Sequence, residues 1–342
     1  MPTRREFCRR TLGLGAVAAA TEMVRGAGGS TARAGQAKAP DVSAWMRRAG
    51  GPRGWRIGAG LNGFMSSSGQ FKKTYPLWEV LDFCQKEGFE GIELVSGWPM
   101  GGYPAASETK RVAALKGLYD RYGLRIYTIQ PAAPGRPFSE SAQERKAWLA
   151  AWRGQVRLCK QLGCDFIGHW PGGGLGNQTI DQAIDRCIET YRQAATMCAD
   201  AGMWLSFEIE PPFIFRTLDH LKRILEGVDH PACKTNYDPS HFDVMWGSKG
   251  KPEEMLAALG VKHIGHVHLT DTDGTMFGGT SKHLGCGDGH CDMHASLMTL
   301  WRGGYRGWIM IDGWLIEDVY DACRKGKQAI ERALAAGAGG QR

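Results

Sequence analysis

The sequence predicts a single-domain (β/α)8 TIM barrel, a closed ring of parallel strands each followed by a helix. Three observations carry this expectation. Short apolar runs suited to strands buried on both faces recur eight times. Helix-length segments separate them, and glycines stand at the junctions from helix to strand. Strict alternation of strand and helix implies a parallel sheet, and eight such units over residues 55–336 suit a closed barrel better than an open doubly wound sheet.

Residues 1–34 precede the pattern and read as a twin-arginine signal peptide. TRREFCRR, with Arg4, Arg5 and Phe7, runs into the weakly apolar TLGLGAVAAA, and TARAG offers an Ala32-x-Ala34 cleavage site. The charge agrees with this. The chain has a formal +7, but residues 1–40 hold Arg4, Arg5, Arg9, Arg10, Arg25, Arg33 and Lys38 against only Glu6 and Glu22. Most of the basic excess therefore belongs to the leader, and nucleic acid is not an expected partner. No apolar run reaches the roughly 20 residues of a bilayer span, so no membrane partner is expected either. The expectation is a periplasmic or otherwise exported protein that meets the twin-arginine machinery during translocation. Residues 35–54 are expected as a linker and 337–342 as a disordered tail, and a homo-oligomer stays open.

The strand candidates follow in order: WRIGAGL (55–61), GIELVSG (91–97), LRIYTIQP (124–131), DFIGHWP (165–171), WLSFEIEP (204–211), KTNYDP (234–239), IGHVHLTD (264–271) and GWIMIDGW (307–314). Helices are expected at 74–87, 107–122, 141–162 and 179–201, the last two opened by capping boxes at Ser141/Glu144 and Thr179/Gln182. Gly88, Gly123, Gly163, Gly202, Gly227, Gly260 and Gly304 are the expected helix stops. No amphipathic helix pattern opens after GAGLNGF (58–64), which disfavours a dinucleotide fold. Of ten cysteines, Cys8 lies in the leader and the other nine form no CxxC pair. Cys84, Cys159, Cys187 and Cys198 suit buried helix faces, whereas Cys286 and Cys291 in GCGDGHC could pair or bind metal.

In a barrel of this kind the ligand site lies at the C-terminal strand ends. Polar groups gather there: Glu208 and Glu210 end the fifth strand, Asp238 the sixth, His266 and His268 the seventh and Asp312 the eighth. The two-residue period puts Glu208 with Glu210, and His266 with His268, on one face. Carboxylates converging in a barrel mouth repel unless a cation or protons sit among them, and a divalent metal is the economical solution.

LSFEIEPP around Glu208, NYDPSH with Asp238 and His241, HVHLTD with His268 and Asp271, HLGCGDG (283–289) and GYRGWIMID ending at Asp312 together resemble the xylose-isomerase-like barrel family. That family comprises sugar-phosphate isomerases and epimerases, and takes in ketose 3-epimerases, inosose-processing enzymes and apurinic endonucleases. The resemblance implies one metal held by Glu208, Asp238, His268 and Asp312. Asp312 departs from the family's usual Glu and is one methylene shorter. Three carboxylates and an imidazole favour Mn2+, with Co2+, Mg2+ or Zn2+ as alternatives.

A substrate ketone and its neighbouring hydroxyl at such a site would give an acidic C–H and an enediolate, with Glu208 as base and Asp312 as a second base on the opposite face. The expected enzyme is a metal-dependent isomerase or epimerase of a ketose, inosose or 3-keto-sugar. A β-eliminating lyase on 3-keto-glycosides, a noncatalytic sugar-binding barrel and an endonuclease-like hydrolase are the alternatives. Expected substrate contacts are His241, Glu210, His169, Trp170, His266, Glu93 and His283, with Trp98, Trp314 and Lys282 as softer candidates.

Overall fold

The computed structural model describes residues 40–339 except 96, 134, 248 and 249. The expected signal segment 1–34 lies outside the described residues. Of the tail expected at 337–342, residues 337–339 end the helix Val319–Gly339 and 340–342 lie outside the described residues. All eight apolar runs form strands: Trp55–Gly60, Gly91–Leu94, Arg125–Ile129, Phe166–His169, Trp204–Phe207, Cys233–Tyr237, Ile264–Leu269 and Gly307–Ile311. They are parallel, in the order third, second, first, eighth, seventh, sixth, fifth, fourth. The third and fourth strands close the ring through Asp165 N to Tyr127 O at 2.9 Å and Ala132 N to Gly168 O at 3.0 Å.

The expected helices appear as Leu77–Lys86, Thr109–Asp120, Ala142–Leu162 and Ile180–Asp200, and further helices follow the later strands. The capping box at Thr179 and Gln182 is complete. The one at Ser141 is half formed: Ser141 accepts from Glu144 N, but the Glu144 carboxylate turns to Ser139 Oγ at 2.6 Å and Arg136 instead. Gly163 and Gly260 take the positive φ expected of helix stops, 81° and 93°. Gly227 does not. It lies inside the helix Leu218–Val228, where a Cβ would run into Ile188, and Asp229 makes the left-handed cap at φ 44°.

Two further features differ from the sequence reading. The expected linker holds a helix, Val42–Gly50, that packs on the N-terminal ends of the strands, where a Cβ on Gly50 would lie 2.7 Å from Gly307 N. A helix, Leu61–Phe71, also starts directly after the first strand. Its glycine-rich approach serves packing: a Cβ on Gly63 would lie 2.9 Å from the Gly313 backbone. The nine described cysteines are free thiols, so Cys286 and Cys291 do not pair.

Large and small residues interlock inside the barrel and build the floor of the site. Tyr127 stacks on Trp308 at 4.0 Å and Phe166 on Trp204 at 5.3 Å. Glycines on other strands make room for them. A Cβ on Gly58 would lie 2.5 Å from the Tyr127 hydroxyl, on Gly91 2.7 Å from Trp308, and on Gly265 2.8 Å from Trp204 Nε1. The buried indoles keep their hydrogen bonds, Trp204 to Gly265 O and Trp308 to Asp165. Among the described residues no helix is long and apolar enough to cross a membrane.

Candidate active site at the barrel mouth

Strand alternation decides which polar groups meet. Trp204, Ser206, Glu208 and Glu210 point inward from the fifth strand and its extension, and Asn236 and Asp238 from the sixth. Glu208, Asp238, His268 and Asp312 are all buried. Each carboxylate has one oxygen pinned by donors. Glu208 Oε2 accepts from Gln130 Nε2 at 3.0 Å and from Trp170 Nε1. Asp238 Oδ1 accepts from Ser240 N and Oγ at 2.8 and 2.7 Å, and Asp312 Oδ1 from Asn62 Nδ2 and Trp314 N at 2.8 and 2.9 Å.

The second oxygens turn towards His268. Its Nδ1 lies 3.0 Å from Glu208 Oε1 and 3.7 Å from Asp312 Oδ2. Ligand atoms of Glu208, Asp238 and His268 all lie within 4.8 Å of one another. Asp238 Oδ2 and His268 Nδ1 have no well-directed hydrogen bond although both are buried. Two carboxylates and an imidazole gathered this closely in a buried site fit a shared cation. The residues thus suit a divalent ion, with Asp312 beside the trio, 3.7 Å from His268 Nδ1.

His241 is held from two sides. Its Nδ1 meets Ser281 Oγ at 2.8 Å, and its Nε2 lies 3.2 Å from Glu210 Oε2 and 3.8 Å from both Glu208 Oε1 and Asp238 Oδ2. Glu210 Oε2 also accepts from Thr280 Oγ1 at 2.7 Å. Thr280 and Ser281 belong to a two-stranded ribbon, Met276–Phe277 with Thr280–Ser281, which closes on the cluster. His283 follows the ribbon and lies buried, with Nδ1 3.6 Å from Asp312 Oδ1 and its ring 5.3 Å from that of His241. His241, Glu210, His283 and Trp170 are therefore brought together with the proposed ligands.

Other expected contacts lie elsewhere. His169 points outward, because Gly168 and Trp170 take the inward positions. Its Nδ1 meets Tyr191 OH at 2.7 Å among the helices, and burial lowers its pKa to about 3. His266 lies two residues deeper along its strand than His268, about 6.6 Å at the usual rise. It sits in the aromatic floor 4.6 Å from Phe166, and burial, followed by the charge on His268, lowers its pKa. Glu93 joins floor to cluster, with Oε2 3.3 Å from His268 Nε2 and 3.5 Å from His266 Nδ1. Lys282 pairs with Asp273 at 2.5 Å on the surface and leaves the site.

Burial dominates the electrostatics. It raises the Asp238 carboxyl well above the usual range, helped by the charges of Glu208 and Asp312. It raises Glu93 too, against the lowering effect of His268. For His268 burial works downward, but the carboxylates of Glu208 and Glu93 outweigh it and the pKa rises well above normal. Without a cation, the centre therefore holds protons.

Sequence reasoning missed the anchors. Gln130 links Glu208 to Asn236, whose Nδ2 donates to Gln130 Oε1 at 3.0 Å, and Asn62 holds Asp312. Gln130 and Asn236 carried a signal, as polar residues near strand ends, Asn236 being two positions before Asp238 on the same face. Asp271, part of HVHLTD, is a loop organiser. Its carboxylate accepts from Thr272, Gly287, Gly289 and Cys291 N at 2.8 to 3.1 Å.

A parallel barrel with a carboxylate–imidazole centre at the C-terminal ends of its strands is the class that fold and site define. Within it, the chain belongs to the xylose isomerase-like TIM barrel family, whose model matches residues 81–335. A Xenopus laevis relative, provisionally named hydroxypyruvate isomerase, is 27% identical over 220 residues, 56% of this chain and 72% of that protein. Among solved structures, a zinc-bound IOLI protein superposes with a TM-score of 0.66 at 15% identity, covering 82% of this chain and 98% of that one. A D-tagatose 3-epimerase-like protein gives 0.66 at 21% identity, covering 84% and 100%. These two likenesses show the fold.

Proposed function

We propose that the protein is a divalent-metal-dependent isomerase or epimerase acting on a small ketose, inosose or 3-keto-sugar, and that it works outside the cytoplasm, as Arg4, Arg5 and the apolar stretch behind them suggest. The observation that carries the reading is the convergence of Glu208, Asp238 and His268 ligand atoms within 4.8 Å, with the remaining oxygens of both carboxylates pinned by donors. The names of the relatives, a hydroxypyruvate isomerase and a D-tagatose 3-epimerase-like protein, point to the same chemistry of proton transfer beside a carbonyl.

When bound, a divalent ion, Mn2+ in this reading, supplies electrostatic stabilisation of negative charge developing on the substrate oxygens. Glu208 is the base. Gln130 and Trp170 fix its carboxylate from one side, so the group takes the proton from the carbon next to the carbonyl without the side chain swinging. Return of that proton to the neighbouring carbon gives isomerisation. Delivery from Asp312 on the other face gives epimerisation. His241, set by Ser281 and Glu210, orients a substrate hydroxyl.

The test is incubation of metal-loaded protein in D2O with a panel of free ketoses, inososes and 3-keto-glycosides. Mass spectrometry and NMR of the recovered sugars read the outcome. Conversion of a panel member with deuterium entering beside its carbonyl, lost in Glu208→Gln, is expected. Conversion that Glu208→Gln leaves unchanged contradicts the assignment, and elimination products would move it to a lyase.

A further inference from the structure

The loop GCGDGHC (285–291) ends in two residues that the central chemistry does not use, His290 and Cys291. We propose that they form, with Asp243, a second and separate metal site on the rim of the barrel, taking a borderline-soft divalent ion such as Zn2+ or Co2+. One ligand atom from each of Asp243, His290 and Cys291 lies within 4.8 Å of the other two. Carboxylate, imidazole and thiolate are the three side-chain donors that zinc uses. The thiolate disfavours the hard ions Mg2+ and Mn2+ that the carboxylate-rich centre accepts.

The cluster is assembled from two segments, each fixed by its own backbone. Asp243 ends the short helix Pro239–Asp243. His290 N donates to Thr272 O at 2.9 Å and Cys291 N to Asp271 Oδ1 at 3.0 Å. His290 Nε2 and Asp243 Oδ2 are 3.0 Å apart, close to the separation of about 3.3 Å between two donors each ~2.05 Å from a tetrahedral ion. The His290 side chain is 54% exposed and that of Asp243 18%. An ion can therefore enter from solvent, and water completes its coordination. The Asp–His pair alone holds the two segments only weakly, whereas a bound ion ties the loop to the short helix that Asp238 caps and His241 belongs to.

The experiment titrates Co2+ into the full chain in the presence of excess Mn2+ and follows thiolate-to-cobalt charge-transfer absorption in the near ultraviolet. Cys8 lies outside the described residues and is replaced by Ser in every protein titrated; the described cysteines other than Cys291 are buried, so the band reports this site. A saturable band is expected, absent from Cys291→Ser, weakened at least tenfold in affinity by His290→Ala, and retained in His268→Ala, each variant keeping its circular dichroism. No band in the wild type, or a band that survives Cys291→Ser or vanishes with His268→Ala, overturns the proposal.

Discussion

His268 turns its Nε2 towards Glu93, 3.3 Å from Oε2, and its Nδ1 towards the Glu208 and Asp312 carboxylates. An N–H on Nε2 that donates to Glu93 leaves the Nδ1 lone pair facing the centre, which is the tautomer an ion requires. Glu93, expected from the sequence as a substrate contact, therefore acts from beneath. Glu93→Ala should weaken divalent-ion binding about 10- to 100-fold. Glu93→Gln keeps an acceptor oxygen and should stay closer to wild type. Chelator competition reads both values, and unchanged affinity in Glu93→Ala would remove this role.

Glu208 and Asp312 separate under mutation if only one is a base. Glu208→Gln should lower turnover by about 10²- to 10⁴-fold. Asp312→Asn has two outcomes that Mn2+ titration tells apart. Recovery of full turnover at high Mn2+ makes Asp312 a ligand alone. Saturated protein that exchanges deuterium but does not invert the substrate makes it the second base.

The proton-holding centre predicts a pH effect on the metal-free protein. Burial raises Asp238 in the folded state, while in the unfolded chain a carboxyl titrates near ~3.9. The folded state thus keeps a proton that the unfolded state has released, and stability falls as pH rises from about 4 through the raised value. Asp238→Asn has no such proton to lose. With chelator present, it should unfold at a higher temperature than wild type at neutral pH and show no such gain near pH ~4. A wild-type midpoint that rises across this window relative to the variant would contradict the sign.

Gly168 makes room for Gln130, because a Cβ there would collide with the Gln130 amide that anchors Glu208. Gly168→Ala should cost about 1–3 kcal/mol of stability, and it should reduce turnover more than ion affinity, since the metal ligands themselves are untouched. Calorimetry and kinetics give the two numbers. Wild-type turnover in a folded Gly168→Ala protein would show that the anchor is dispensable.

The fold was legible because strand and helix periods, glycine stops and one capping box all agreed. The strand-end residues were legible because a carboxylate ending an apolar run has few reasons to be there. Depth and facing were harder to read. His169 and Trp170 are neighbours, so the two-residue period lets only one face inward, whereas His266 does share the face of His268 as that period requires but lies one layer deeper, in the aromatic floor. Thr280 and Ser281 gave no signal, because their ribbon is short and its approach to His241 is set by tertiary contacts. Gly227 misled because a glycine near a helix end serves packing against Ile188 as readily as a left-handed cap.

Glu208, Asp238 and His268 are proposed to hold one divalent ion at the barrel mouth. Mn2+ binding to the purified protein and to Asp238→Asn and His268→Ala tests it most directly, because the thiolate-containing rim cluster disfavours this ion. One tightly bound equivalent is expected in the wild type and its loss in each variant, with the circular dichroism of the barrel retained. Full Mn2+ occupancy in both folded variants would contradict it.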